Sequence, residues 1–338
     1  MVLDRPRVTV VVPTLTAGPK LAACLESLTR QTLPGAAIVV VDNSGSGRVQ
    51  KEGAWPGVEV IENGRNVGFG AAVNQGFRRR PAPLVATLND DAVARPGWLE
   101  ALVEAMEADP QVGMCASRVV LAESGRLDSA GMLLCPDGSS KQRGHGRPPE
   151  EFSRPEEVLF PSGSAALYRR RMLEEVGGFD ESFFLYCEDA DLGLRARWAG
   201  WKCLYVPEAV VEHHYSQSAG RASRLKAYLV ERNRVFLALK NFPAGMFLAV
   251  PFYATQRYFW HAAFLVRGRG TASEFHREGN HPLALVWYVV KAHLAALAAL
   301  PRLLRGRAAV RRAARIDRRR FRALVAAHSI SPRQVAEL

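Results

Sequence analysis

The sequence predicts an α/β protein, an open doubly wound sheet followed by a helical extension. Three observations carry this reading. Short β-branched runs alternate with helix-length amphipathic stretches through the first 110 residues, the pattern of a sheet whose crossovers are helices. These runs are apolar throughout, as in strands buried on both faces. After about residue 222 the runs give way to long apolar stretches and an Arg-dense tail. The expected division is an α/β domain over 1–222 and a helical region over 223–338.

Val8–Val12 is β-branched and closed by Pro13, which predicts a first buried strand. Lys20–Thr32 spaces Leu21, Leu25 and Leu28 at helical intervals, and Pro34-Gly35 stops it. Ala37–Val41 and Val58–Ile61 read as further strands, the former ending at Asp42. Val67–Arg79 is expected to be helical, Leu84–Leu88 a strand ending in Asn89-Asp90-Asp91, and Pro96–Ala108 a helix with Pro in its first turn. In such sheets ligands bind beyond the carboxyl ends of the strands. Thr14, Asp42 and Asn89-Asp90-Asp91 all fall there. From Val112 to about Pro161 the Gly- and Pro-rich turns suggest short hairpins or a mobile loop. Arg169–Val176, capped by Gly177-Gly178, and Glu188–Ala199 are expected helices.

The chain has 338 residues, 48% apolar and 23% charged. That excludes disordered, collagen-like and coiled-coil chains. The net charge is +12, but residues 301–338 hold 11 Arg against Asp317 and Glu337, so most of it resides in the tail. Five widely spaced cysteines without a C-x-x-C pair argue against a disulfide framework or zinc site and for a reducing compartment. The run after the charged Met1–Arg7 is too short for a signal peptide, and none is expected.

Two apolar stretches, Phe242–Val266 and Pro282–Leu304, approach the roughly 20 residues of a bilayer span. They contain Gln256, Arg257, His261, Lys291 and His293, and a mid-span charge costs about 2.5–3.5 kcal/mol. Helices lying in the membrane interface are therefore expected, anchored by aromatic residues and by Arg attracted to anionic lipid. A helical subdomain packed on the α/β domain is the alternative. The Arg run also suits a solvated face or nucleic acid, but no nucleic-acid motif accompanies it, and no nucleic-acid partner is expected. The expected location is the cytoplasmic face of the membrane.

Three motifs can carry chemistry. Asn89-Asp90-Asp91 suits a hard cation held jointly with substrate phosphates, or else is an Asp-rich turn. Glu188-Asp189-Ala190-Asp191 either complements a helix dipole or supplies a general base. Phe183-Phe184-Leu185 before it could form an apolar wall that raises a carboxyl pKa. His213-His214, within Glu212–Ser218, follows the strand-like Val206–Val211 and suits a metal or phosphate contact. Asn66-Val67-Gly68-Phe69-Gly70 is a glycine-bearing helix entry that can bring backbone close to a nucleotide. No G-x-x-x-x-G-K-[ST] loop occurs, which disfavours a nucleotide-hydrolysing motor. Tyr186, Trp198 and Trp201 could stack on sugar or base, or pack in a core.

These segments, in this order, resemble family 2 glycosyltransferases of the GT-A fold. The resemblance rests on Val8–Thr14, Val39–Ser44, Asn66–Gly70 and Leu88–Ala92, then Gly163–Leu167 leading to Gly177–Glu181 and Glu188–Leu192. It covers about residues 6–220 and is nearest the rhamnosyltransferase-type branch of bacterial surface-polysaccharide synthesis. It implies a GT-A type mixed sheet and inverting transfer from a nucleotide-diphosphate sugar, dTDP- or UDP-linked, to a lipid-linked or glycan hydroxyl. Pro13, Thr14, Asp42, Asn66, Gly68, Asn89 and Asp90 would line the donor site. Asp91 and His213 would hold Mg²⁺ or Mn²⁺, with Asn89 standing where the family's D-x-D motif has its first Asp. Asp189 would be the base, with Glu188 beside it. Two other classes compete: a sugar-phosphate nucleotidyltransferase, whose Arg/Lys-bearing glycine loop after the first strand is not matched by Pro13–Lys20, and a non-catalytic binding module carried by the tail.

Overall fold

The computed structural model describes residues 6–53, 55–214 and 223–337. Contacts divide the chain into two compact units. The first comprises 1–132, 142–184 and 201–216. It is built from strands β1 (Val8–Thr14), β2 (Ala37–Asp42), β3 (Val58–Glu62), β4 (Leu84–Leu88), β5 (Ala92–Ala94), β6 (Val112–Leu121) and β7 (Leu127–Ser129). After the β8–β9 hairpin (Met132–Leu134, Ser140–Gln142) come β10 (Glu156–Glu157), β11 (Ala165–Arg169) and β12 (Lys202–His213). Helices α1 (Pro19–Thr29), α2 (Arg48–Glu52), α3 (Phe69–Arg79), α4 (Trp98–Ala108) and α5 (Arg170–Val176) connect them.

The main sheet runs β10-β12-β6-β11-β4-β1-β2-β3, with β5 on β12 and β7 on β6. β4-β1-β2-β3 are mutually parallel and form the expected doubly wound part. Antiparallel β11 makes the sheet mixed. The apolar runs are strands for the expected reason. Val8, Val10, Val11 and Val12 have no exposed surface, because helices cover both faces.

Two expectations need correction. The stretch after Val112 is not a set of hairpins at its start. β6 is a ten-residue strand lying between β11 and β12. Its sequence, with Gly113 and small residues among valines, lacks period-2 alternation because both faces are covered. Helix α3 begins at Phe69, two residues later than its apolar pattern suggests. Asn66 Oδ1 accepts the Gly68 N–H (2.8 Å), and Gly68 lies at φ +89°, so the turn holds the chain out of helix until Phe69.

The second unit comprises 133–141, 185–200 and 217–338. It contains α6 (Glu188–Trp198), α7 (Arg224–Asn241), α8 (Ala244–Val266), α9 (Gly270–Arg277), α10 (Leu283–Ala298), α11 (Leu300–Ala313), α12 (Arg318–Ala327) and α13 (Pro332–Glu337). Buried polar networks organise it. Asp191, fully buried, pairs with Arg195 (2.8 Å), Lys240 (2.9 Å) and Asn241 (2.9 Å). Glu231 and Asp137 interlock with Arg234 and Arg257. Buried charges persist only when paired in this way. Trp198 stacks on Phe321 (4.0 Å, 9°) with Arg311 over its ring at 4.2 Å, so it is core and presents no face to a sugar.

The apolar stretch Pro282–Leu304 does not form one helix. It breaks at Ala299, before Pro301, and α10 and α11 diverge by 70°. Among the described residues no single helix is long and apolar enough to cross a membrane; only this bent pair passes, by length and composition.

Candidate active site

The parallel strands deliver their carboxyl ends to one edge, because β1 pairs in parallel register with β2 from Thr9 to Thr14 and with β4 from Val8 to Val11. Thr14 lies opposite Asp42, and the Asn43 N–H donates to the Thr14 carbonyl (2.8 Å). Thr14 Oγ1 stands 2.6 Å from Asp90 Oδ2. Burial raises the Asp90 pKa, and the Thr14 hydroxyl and Lys20 partly oppose that. Asp42 also braces the backbone at its strand end. It is 1% exposed, and its two oxygens accept the backbone N–H groups of Ser44 (2.8 Å) and Val49 (3.3 Å), holding the turn after β2. Pro13 is half-buried, Asn66 is exposed, and Asn89 is half-buried with its N–H on the Ser164 carbonyl (2.8 Å).

Gly68 is where two backbones meet. The Phe69 N–H donates to the Phe184 carbonyl (2.9 Å), and a Cβ on Gly68 would sit 2.2 Å from that oxygen. Only glycine fits this approach.

Asp91 and His213 come together through the sheet. β12 pairs antiparallel with β5, matching His213 to Ala92, and the His214 N–H donates to the Asp91 carbonyl (2.9 Å). His213 Nε2 then lies 3.1 Å from Asp91 Oδ1. Its Nδ1 lies 3.1 Å from Asp128 Oδ2. Burial disfavours the charged ring, but the bonds to Asp128 and Asp91 outweigh it and lift the His213 pKa to about 9. Asp128 is 3% exposed. Burial works to raise its pKa, and His145 and His213 bring it below the ordinary carboxylate value. The remainder of the histidine motif, Tyr215–Ser218, lies outside the described residues.

Among the described residues no three His, Cys, Asp or Glu side chains are arranged to hold a metal ion by themselves. Asp91 and His213 still form a fitting pair of donors. Adjacent ligands of an octahedral cation with bonds of about 2.1 Å stand about 3 Å apart, and Oδ1 and Nε2 stand 3.1 Å apart. A carboxylate plus an imidazole suits Mn²⁺ or Mg²⁺ when phosphate oxygens complete the shell.

Glu188 and Asp189 belong to the second unit and open α6. The preceding loop is strained, with Tyr186 at φ 70° and Cys187 at φ 63°. Asn233 on α7 holds it, donating from Nδ2 to the carbonyls of Leu185 (2.8 Å) and Tyr186 (2.7 Å). Glu188 is buried, and among the described residues its Oε2 accepts no hydrogen bond. Burial, and after it the adjacent Asp189, push its pKa up to about 8. Asp189 is half-buried, and its Oδ1 accepts the Ala190 N–H (2.7 Å). Of the two it is Asp189 whose carboxylate is partly open to solvent.

Sequence reasoning did not find Asp128, His145, Asn233 or Asn74. Asn74 Nδ2 donates to the Phe179 carbonyl (2.9 Å) while its Oδ1 accepts the Phe179 N–H (3.0 Å). The one available signal was polarity out of place: Asp128 between Leu127 and Ser129 in a strand, and Asn74 on the inner face of α3.

The family model for Glycosyl transferase family 2 matches residues 9–177. The chain belongs to that family. It is a glycosyltransferase. An N-acetylglucosaminyl-diphospho-decaprenol L-rhamnosyltransferase of Mycobacterium tuberculosis is 32% identical over 246 residues, covering 65% of this chain and 80% of that one. Rhamnosyltransferase WbbL of Escherichia coli is 41% identical over 71 residues, 21% of this chain and 26% of that one. Among solved structures, GalNAc-T7 with UDP, GalNAc and Mn²⁺ has a TM-score of 0.60 at 17% identity, covering 75% of this chain and 51% of that one. The mannosyltransferase PcManGT of Pyrobaculum calidifontis, in complex with GDP-Man and Mn²⁺, has 0.52 at 20% identity, covering 96% and 85%. These likenesses place the glycosyltransferase's mixed α/β sheet in the GT-A-like group.

Proposed function

We propose that this glycosyltransferase moves a sugar, rhamnose by its relatives, from a dTDP- or UDP-linked donor to a hydroxyl of a lipid-linked glycan in bacterial cell-surface polysaccharide synthesis, with inversion. The observation that carries the reading is the 3.1 Å pairing of Asp91 and His213 beside the strand ends of a family 2 chain. The name of the mycobacterial relative supports a lipid-diphosphate-linked acceptor and rhamnose. The Mn²⁺ and nucleotide sugars in the two structural neighbours support the donor class.

A divalent ion, Mn²⁺ or Mg²⁺, would supply positive charge to the departing diphosphate. Asp91 and His213 would hold it. Thr14, Asn66, Gly68, Asn89 and Asp90 would bind and orient the nucleotide, while Pro13 and Asp42 shape the pocket's backbone. Asp189 would accept the proton of the acceptor hydroxyl as its oxygen bonds to the anomeric carbon and the diphosphate oxygen leaves. A single displacement inverts the stereocentre. Burial favours the neutral form of Glu188 and so weakens the repulsion at Asp189. Catalysis belongs to 1–222, and 223–338 associates with the cytoplasmic face of the membrane. There α10 exposes Leu283, Val286, Trp287, Val290, Leu294 and Leu297 along one face, and the arginines of the tail add about 1 kcal/mol each on anionic lipid.

The test is a donor screen with and without Mn²⁺ or Mg²⁺ that detects the released nucleoside diphosphate. Metal-dependent release from dTDP-rhamnose or a UDP-sugar is expected. Release of pyrophosphate would instead identify a nucleotidyltransferase, and no turnover with any donor would leave only a binding module.

A further inference from the structure

We propose that Asp128 is a positioning residue for His213, fixing which ring nitrogen faces Asp91 and thereby setting the affinity of the pair for a divalent cation. This rests on the reading of Asp91 and His213 as metal ligands. The two oxygens of Asp128 are each taken by an imidazole: Oδ2 by His213 Nδ1 and Oδ1 by His145 Nδ1, both at 3.1 Å. Asp91, His213, Asp128 and His145 thus alternate acid and ring in one line inside the first unit.

The sheet builds this line. β7 pairs antiparallel with β6, setting Leu127 against Val120 and Ser129 against Val119. β6 runs parallel beside β12, setting Leu121 against His213. Asp128 therefore projects from the strand two places from β12. His145 reaches the same carboxylate from a turn anchored on that hairpin. The Gly146 N–H donates to the Leu127 carbonyl (2.8 Å), and the Ala130 N–H to the Arg143 carbonyl (3.0 Å). A carboxylate 3% exposed in an apolar strand is costly unless both oxygens are bonded. Here each bond is spent on an imidazole.

The consequence is chemical. A neutral imidazole has one N–H and one lone pair, and the partner of one nitrogen decides which is which. With Nδ1–H donated to Asp128, the Nε2 lone pair faces Asp91. That lone pair and the Asp91 carboxylate oxygen are the two donors a divalent cation would take. Without Asp128 the ring can rotate or carry its hydrogen on Nε2, where it repels a cation. Carboxylates behind metal-bound histidines typically contribute 10- to 100-fold in metal affinity.

The experiment uses the full chain and Mn²⁺ alone, followed by the free-ion EPR signal. Asp128→Asn keeps the volume, and its amide NH₂ can donate to Nδ1 and invert the tautomer. It is expected to weaken Mn²⁺ binding about 10- to 100-fold, and His213→Ala to weaken it at least as much. Wild-type affinity in Asp128→Asn with impaired His213→Ala overturns the positioning role alone. Wild-type affinity in His213→Ala overturns the metal reading and the inference with it. A second measurement needs no variant: the ¹⁵N shifts of His213 in the wild type with Mg²⁺. A protonated Nδ1 and a metal-shifted Nε2 are expected, and an unprotonated Nδ1 refutes the assignment.

Discussion

Gly68→Ala would perturb the entry to α3 and nothing else in the sequence pattern. The added methyl would lie 2.2 Å from the Phe184 oxygen, 2.8 Å from its carbonyl carbon and 2.9 Å from its Cα, all backbone atoms that cannot swing aside. The residue's φ of 89° and ψ of 167° fall in a region open essentially only to glycine, a cost of about 1–3 kcal/mol. Relieving the overlap separates the chains and loses the Phe69 N–H to Phe184 carbonyl bond, about 0.5–1.5 kcal/mol more. The sum, about 1.5–4.5 kcal/mol, is a large part of an ordinary domain's 5–15 kcal/mol. Gly57→Ala is the control, since Gly57 also has a positive φ (78°) but open space around its Cβ position. Urea unfolding followed by circular dichroism should show a much lower midpoint for Gly68→Ala than for Gly57→Ala, with weakened UDP or dTDP binding. Equal midpoints would refute the close-approach argument.

Four other outcomes are expected. Asp189→Asn should lower transfer by about 10²- to 10⁴-fold while donor affinity stays near wild type; normal turnover would remove Asp189 as the base. Glu188→Gln should raise the melting temperature at high pH and not at low pH. The folded pKa of about 8 stands above the ordinary glutamate value of 4.5, so the wild type loses stability relative to Gln as pH climbs from 4.5 to 8 and levels off above; a pH-independent difference would contradict this. Glu231→Ala should destabilise the second unit by about 3–5 kcal/mol, because Arg257 Nη2 (2.7 Å) and Arg234 Nη2 (2.5 Å) lose their partner. Arg257 and Arg234 overcome burial and depress the Glu231 pKa, so this stability is present above about pH 4.5 and shrinks in acid, which thermal unfolding across pH will reveal. Trp287→Glu with Leu294→Glu should reduce co-sedimentation with anionic vesicles about tenfold or more, from roughly 1.5–3 kcal/mol per lost apolar side chain; unchanged sedimentation would sink the proposed docking face.

What could be read from the sequence was what repeats at short range. A run such as Val8–Val12 declares a two-faced burial that only a central strand provides. Polar residues stacked at the ends of such runs, Thr14, Asp42 and Asn89-Asp90-Asp91, then fall on one edge by the topology of parallel strands. β6 escaped that logic because small residues and Gly113 interrupt its β-branched pattern, and its place between β11 and β12 is set by partners 50 to 90 residues away. The break at Ala299 escaped it for a different reason: hydropathy runs straight through a position where Pro301 denies the backbone its helical bond.

The residues that support the site were hidden more deeply, because their role exists only in pairs distant along the chain. Asp128 is one acid in a short strand until His213, 85 residues away, arrives against it. Asn233 is one polar residue of an amphipathic helix until it caps the carbonyls of Leu185 and Tyr186. Asp42 shows the converse. Its position at a strand end marks it as a ligand contact, and its carboxylate also holds the turn by accepting the N–H groups of Ser44 and Val49. A turn held this way keeps the loop beyond β2 at a fixed height above the sheet, so replacing Asp42 would alter nucleotide binding through the backbone it holds. Motif position therefore identifies where these polar groups gather, and the hydrogen-bond partners of each carboxylate show which stretch of backbone it also holds in place.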